Sequence, residues 1–354
     1  MALKLKGKIT GIKYTPFLCR SLRKYPFEKL EEAINQDATF ILNFNKYGGI
    51  AISWWVSAKR TRSYPYARVY DSLGFAGKKV TIIPIFKDEG SEGERDFLQW
   101  DTISLMSLLG IYVIISYYKS AEKSSKPGNI KGNKITNQKF EILQIEEELN
   151  KLLSYQSDAL HWNMEQINKI QEIGKKAIES YENISEKTGV KLHSKKLAEN
   201  KIMELMKDKE TFMKTSRFLA KKAQKREGEF TQPKEKVDGT KSIITLTNWL
   251  KGNYFFTCDE IEKKGTNLFL IEAKHSEGKN FPSVNDIKDG LIKMNLFTNL
   301  KKVTANNKTY FVIPVLKLTT SKNLNESNLN ETEKNVLKIL KKEAKVNNFL
   351  IKFN

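Results

Sequence analysis

A chain of 354 residues with 40% hydrophobic content can fill more than one core, so two or three cooperating units are expected. Its 61 Lys and Arg residues against 41 Asp and Glu leave a formal net charge of +20, a field that draws polyanions, nucleic acid first among them. Two distant cysteines, Cys19 and Cys258, exclude a disulfide framework or a four-cysteine zinc site, and three histidines without paired spacing argue against a histidine-built metal centre.

The opening MALKLKGKIT lacks the apolar run of a signal peptide, and the most apolar stretch, residues 103–118, falls short of the roughly 18 residues of a membrane span. A cytoplasmic protein without a membrane segment is expected. From Thr39 to Tyr118, short β-rich runs alternate with turn signals: TFILNFN, GIAISWWVS, YARVYDSL and KKVTIIPIFK, then the helix-like RDFLQWDTISLMSLL and the strand-like IYVIISYY. Residues 1–119 are therefore expected to form an N-terminal α/β domain. Within it, Trp54 and Trp55 interleave with Lys59, Arg60, Arg62 and Arg68. Guanidinium groups can grip phosphates or guanine edges, and indole faces can stack on bases, which makes this segment a candidate DNA-reading surface. The alternative is a core tryptophan flanked by solvated basic residues.

Residues 120–137, polar and broken by Pro127 and Gly128, read as a linker. Across 138–230 the character changes: Ile145, Leu149, Leu152, Ile170 and Ala177 recur at helical spacing, predicting long amphipathic helices with a reversal near Gly189. That region fits a DNA clamp or dimer arm as well as it fits a plain helical spacer. Residues 238–320 form a β-rich segment, and Asn330 with Glu333 predicts a capping box opening a C-terminal helix within 329–354.

The chemistry lies in 253–275, NYFFTCDEIEKKGTNLFLIEAKH. An apolar strand ends at Asp259, a charged turn surrounds Lys263, Lys264 and Gly265, and a second apolar strand runs into Glu272-Ala273-Lys274. Alternate strand side chains share a face, so Glu272 and Lys274 point one way and Ala273 the other, while a hairpin brings Asp259 alongside. Two carboxylates and an ammonium on one sheet edge repel and lose hydration, a cost that a divalent oxygen-loving cation would offset. Mg²⁺ is the natural choice, with Asp259, Glu272 and the Ala273 carbonyl as ligands. Lys274, its pKa lowered by metal and crowding, is expected to orient or deprotonate the attacking water and to stabilise the phosphorane. The same Glu-x-Lys pattern at Glu262 falls in the charged turn, so context and not the tripeptide singles out Glu272.

These residues resemble the PD-(D/E)xK nuclease superfamily, to which most type II restriction endonucleases belong. The resemblance covers roughly residues 253–318: Asp259, Glu272, Lys274, the hairpin between them, the helix in PSVNDIKDGLIKMNLFTNL and the strand TYFVIPVLKL. Cys258 stands where the family usually has proline. The resemblance implies a mixed α/β fold with a strand, strand, helix, strand nuclease core. It also implies Mg²⁺-dependent cleavage of double-stranded DNA to 5′-phosphate and 3′-hydroxyl ends, and an extra carboxylate from an upstream helix, for which Glu227 and Glu229 are the candidates. A type II restriction enzyme would cut at a short site, work as a two-fold homodimer and act beside a cognate DNA methyltransferase. The alternatives are a repair or mobile-element nuclease of the same core, or a noncatalytic DNA-binding scaffold.

A rival site is visible upstream, where Asp71 and Lys87 flank a glycine-containing turn. Ile85 occupies the expected carboxylate position there, with Asp88, Glu89 and Asp96 as substitutes, so a noncatalytic α/β unit is the simpler reading.

Overall fold

The computed structural model describes residues 4–44, 48–58, 63–124, 133–206, 242–247, 253–321 and 324–353. In chain order, β1 (Lys4–Lys8), β2 (Lys24–Pro26), α1 (Leu30–Gln36), β3 (Thr39–Phe44), β4 (Gly48–Trp54) and α2 (Ser63–Ser72) come first. They are followed by β5 (Lys79–Pro84), β6 (Phe86–Asp88), β7 (Arg95–Phe97), α3 (Trp100–Leu108), β8 (Tyr112–Ser116), β9 (Tyr118–Lys123) and β10 (Ile135–Phe140). The helices α4 (Ile142–Ser154), α5 (Ala159–Asn168), α6 (Ile170–Thr188) and α7 (Lys195–Met206) lead to β11 (Ser242–Thr247) and β12 (Asn253–Cys258). The last elements are β13 (Glu260–Lys264), β14 (Asn267–Ser276), α8 (Val284–Phe297), β15 (Lys301–Ala305), β16 (Lys308–Thr320), α9 (Glu331–Asn347) and β17 (Leu350–Phe353). The fold class is mixed α/β, and no described helix is long and apolar enough to cross a membrane.

Two compact units result, and neither is continuous in sequence. One comprises Met1–Ser21, Tyr66–Ala76 and Ala220–Asn354, the other Leu22–Pro65 and Gly77–Leu219. The stretch 1–119, expected as one α/β domain, is thus divided between them. The helices from 138 onward, expected as a region apart, share the second unit with the sheet. The cause is non-local pairing that sequence periodicity does not register: β1 runs parallel to β11, more than two hundred residues later, with Leu5 opposite Ile244.

In the second unit a five-stranded sheet has the order β2-β3-β4-β5-β8. Strand β8 would expose a row of unpaired backbone groups, the usual liability of a sheet edge. Here α5 covers it: Asn163 accepts from Val113 N (2.7 Å) and donates to Ile111 O (3.0 Å), and Trp162 donates to Val113 O (2.7 Å). The α4–α6 helices lie on this sheet and its neighbouring hairpin, so their apolar faces meet β8 and β9. Both ends of the segment expected as a linker lie in strands, since β9 and β10 pair antiparallel. Gly189, at φ 66°, adopts the left-handed conformation that ends α6, at the position where the sequence predicts a reversal.

The first unit holds an eight-stranded mixed sheet, β12-β11-β1-β15-β16-β14-β13, with β17 also on β16. The strands at its two ends, β12 and β13, are separated in sequence by Asp259 alone, so the sheet curls until its ends meet at that residue. Helix α8 crosses over from β14 to β16, which run parallel with Glu272 opposite Leu316. Remote segments are gathered by a carboxylate on α9. Glu343 is fully buried and accepts from Tyr14 Oη (2.7 Å), Tyr70 Oη (2.7 Å), Phe17 N (2.9 Å) and Leu18 N (3.1 Å). Asn330 and Glu333 form the reciprocal cap that opens α9.

The run YARVYDSL, expected as a strand, is helical in α2. Tyr66, Ala67, Val69 and Tyr70 are buried, a spacing of one helix face and not of alternation, and Pro65 sits near the start where its missing N–H costs nothing.

Candidate active site

Asp259 is a bend between two strands, and the turn that follows is shorter than the sequence suggests. Lys263 and Lys264 continue β13 down to a reversal at Gly265, where φ is 61°, a value glycine reaches without penalty. Charged residues suit this position because β13 is the outer strand. Pairing between β13 and β14 stops at Glu260 opposite Ile271, so the edge of β14 beyond Ile271 turns to Asp259 instead. The Ala273 N–H donates to Asp259 Oδ2 at 3.0 Å.

Glu272 and Lys274 share one face of β14, and Glu272 is 2% exposed. The face is covered by α8, which approaches closely at Gly290: a Cβ there would lie 2.6 Å from Leu316 Cδ1 and 3.2 Å from Lys274 Cε. That approach delivers two charged residues the sequence reading did not single out. Asp289 accepts a short hydrogen bond from the Lys274 ammonium, and Lys293 donates to Glu272 Oε2 at 2.8 Å and to Thr257 O at 3.3 Å. Lys274 completes the cluster by donating to Glu272 Oε1 at 2.9 Å. A signal existed in the sequence. Asp289 and Lys293 stand four apart, hence on one helix face, while Ile287, Leu291, Ile292, Met294 and Phe297 around them are buried.

The electrostatics differ from one carboxylate to the next. Burial and the neighbouring Glu272 charge raise the Asp259 pKa from 3.8 to about 6. Burial acts the same way on Glu272, but Lys274 and Lys293 outweigh it and bring its pKa down to about 2. For Lys274, burial favours the neutral amine, yet Glu272 and Asp289 prevail and hold the ammonium charged above its ordinary range. Two carboxylates flank Lys274, which is why its pKa moves up here, opposite to the lowering expected beside a metal ion. Lys293 is likewise raised, its burial outweighed by Glu272 and Asp259.

Three carboxylates thus meet two ammonium groups, leaving one negative charge uncompensated in a mostly buried cluster. Among the described residues no ammonium contacts Asp259, whose hydrogen bond comes from Ala273 N. No group of three His, Cys, Asp or Glu among the described residues makes a ready-made metal cage. The donor set nevertheless suits Mg²⁺, which takes one or two carboxylates and keeps several waters.

Other sequence candidates are placed differently. Trp55 is a fully buried core residue, so its indole is unavailable to bases, and Trp54 donates to Asp37 O at 2.9 Å. Arg68 lies half-buried in α2, while Lys59, Arg60 and Arg62 lie outside the described residues, as do Glu227 and Glu229. The residues of the rival site are engaged within their own units. Asp71 is bound by the buried Lys288 at 2.6 Å and Lys87 by Glu89 at 2.6 Å, and Asp71 and Lys87 belong to different units. Asp88 contacts His193, Asp96 accepts from Ser57, and Ile85 is fully buried.

No family model matches the chain, no curated protein matches it, and no solved structure matches it.

Proposed function

We propose that this protein is a Mg²⁺-dependent endonuclease of the PD-(D/E)xK type, with Asp259, Glu272 and Lys274 at its centre. The observation that carries the reading is the meeting of Asp259 with the Glu272-Ala273-Lys274 strand through the Ala273 N–H. The order β13, β14, α8, β16, with β14 and β16 parallel, supports it as well. Asp259 and Glu272 would hold the ion. In a strand the N–H and C=O of one residue leave on the same side, so the Ala273 carbonyl faces the same edge as Asp259 and is a fitting third ligand. When bound, the ion supplies positive charge for the scissile phosphate and the leaving 3′ oxygen.

The residues themselves then divide the work. In the metal-free cluster Glu272 and Asp289 hold Lys274 as an ammonium, and in that form its part is to donate hydrogen bonds that orient the attacking water and stabilise negative charge on the phosphate. Asp289 positions that ammonium from the α8 side. The net charge of +20 supplies non-specific attraction to double-stranded DNA. We read the protein as a restriction enzyme acting as a homodimer beside a cognate methyltransferase.

A second reading has its own observation: both Glu272 oxygens already accept from lysines, as in a purely structural ion-pair cluster of a DNA-binding scaffold. Incubation with Mg²⁺ and phage DNA separates the cases. Discrete bands support site-specific restriction, and a smear or branched-substrate preference supports a repair or mobile-element nuclease. Lys274→Ala should abolish cleavage and leave DNA binding intact, and Asp259→Ala should abolish cleavage and weaken Mn²⁺ binding. Cleavage by both variants at the wild-type rate would overturn the assignment.

A further inference from the structure

Helix α8 brings Lys293 to the one oxygen of Glu272 that Lys274 leaves open. Each oxygen of Glu272 thereby accepts from an ammonium, while Asp259, among the described residues, accepts from a backbone N–H alone. Lys293 is also the more exposed of the two lysines, with 24% of its side chain accessible against 14% for Lys274. Its second contact, to Thr257 O at 3.3 Å, is to a neutral carbonyl on the strand leading into Asp259. Lys274 in contrast is clamped between two carboxylates, Glu272 and Asp289. Among the described residues, one ammonium is held between two carboxylates and the other contacts one.

We propose that Lys293 is a resident counter-ion that occupies the Glu272 oxygen a divalent cation must take, so that cation binding requires its displacement toward solvent. The idea rests on the reading of Asp259 and Glu272 as metal ligands. A divalent ion and an ammonium crowded onto one carboxylate oxygen repel each other, and an ammonium held by one carboxylate on a four-carbon stem can swing out where the doubly clamped Lys274 cannot. Lys293 thereby sets the cation concentration at which the site fills, and once displaced its ammonium lies at the mouth of the cluster, where a phosphate would meet it. Lys293 is a positioning residue in this scheme, acting through Glu272.

The test measures Mn²⁺ binding to the full-length protein without DNA, by the loss of the free-ion paramagnetic resonance signal. Lys293→Met and Lys293→Gln should each bind Mn²⁺ about tenfold or more tightly than wild type, since both remove the competing charge. Lys293→Arg should bind no more tightly than wild type. Glu272→Gln should abolish binding in wild-type and Lys293→Met backgrounds alike. A residue that merely props the pocket would act the other way, because its loss would leave Glu272 unsupported and weaken Mn²⁺. If the neutral variants bind no more tightly than wild type while Glu272→Gln still abolishes binding, the counter-ion role is wrong and the metal assignment stands. If Glu272→Gln leaves Mn²⁺ binding unchanged, the metal assignment itself falls and takes this inference with it.

Discussion

Asp259→Asn should make the metal-free protein more stable at neutral pH. The Asp259 pKa is raised from 3.8 to about 6 in the folded state, first by burial and then by Glu272. The folded chain therefore holds a proton that the unfolded chain has released between those values, and stability from this group grows as pH falls through 6 toward 3.8. Above pH 6 the fold carries a carboxylate that water would solvate better. The rise from 3.8 to about 6 corresponds to about 3 kcal/mol, which partial exposure of Asp259 and solvent screening reduce to about 1–2 kcal/mol. Asparagine keeps the shape and an oxygen for the Ala273 N–H, so it removes the charge and little else.

The assay is urea unfolding of wild type and variant in a chelator at pH 7.5, 5 and 4. Asp259→Asn should be the more stable protein at pH 7.5, its advantage should shrink to about half by pH 5, and little should remain at pH 4. Glu272 moves in the opposite sense, since its pKa is lowered to about 2 from 4.5 and its stabilisation is lost only as pH falls through that range. That loss is common to both proteins and cancels in the difference. A variant less stable than wild type at pH 7.5, or an advantage equal at all three pH values, would refute the electrostatic account.

Three further outcomes follow from the packing. Gly290→Val places a Cβ 2.6 Å from Leu316 Cδ1, so a loss of about 1–3 kcal/mol is expected in denaturant titration, together with weakened Mn²⁺ binding as α8 backs away from Glu272. Asn163→Ala strips the β8 edge of partners for Val113 N and Ile111 O, and leaving buried backbone groups unsatisfied should cost about 2–3 kcal/mol, read as a drop in the urea midpoint. Glu343→Ala leaves the Tyr14 and Tyr70 hydroxyls and the Phe17 N–H without this acceptor, while the Leu18 N–H keeps Tyr70 Oη at 3.2 Å; a loss of about 3 kcal/mol is expected, with Glu343→Gln closer to wild type.

What the sequence made legible was local. Alternation in LFLIEAK placed Glu272 and Lys274 on one face, and both side chains meet there at 2.9 Å. The proximity of Asp259 followed from the short hairpin, although the strand that forms its first arm is the charged EIEKK and not the apolar run before it. What escaped was whatever depends on distant partners. Asp289 and Lys293 were hidden in a chain rich in such residues until a glycine, Gly290, let their helix settle onto β14. The YARVYDSL run carries β-formers in a helix because its Tyr66 and Tyr70 are drawn inward, the latter onto Glu343. The pairing of β1 with β11 leaves no mark on periodicity, so the division into units was beyond any reading of composition.

The cluster around Glu272 is a poor way to stabilise a fold. Buried ion pairs seldom outperform apolar residues of the same volume, and α8, buried on nearly every other position, could have presented leucine or methionine to β14. It presents Asp289 and Lys293, and the resulting group of three carboxylates and two ammoniums carries an excess negative charge concentrated where Asp259 faces Glu272. An excess of that kind weakens the metal-free fold, and on the reading of Asp259 and Glu272 as metal ligands a cation would relieve it, which would tie folding stability and cation affinity to the same side chains with opposite sign. Substitutions that neutralise Asp259 should therefore stabilise the metal-free protein in proportion to the cation binding they remove, a correlation that a purely structural ion-pair cluster has no reason to produce.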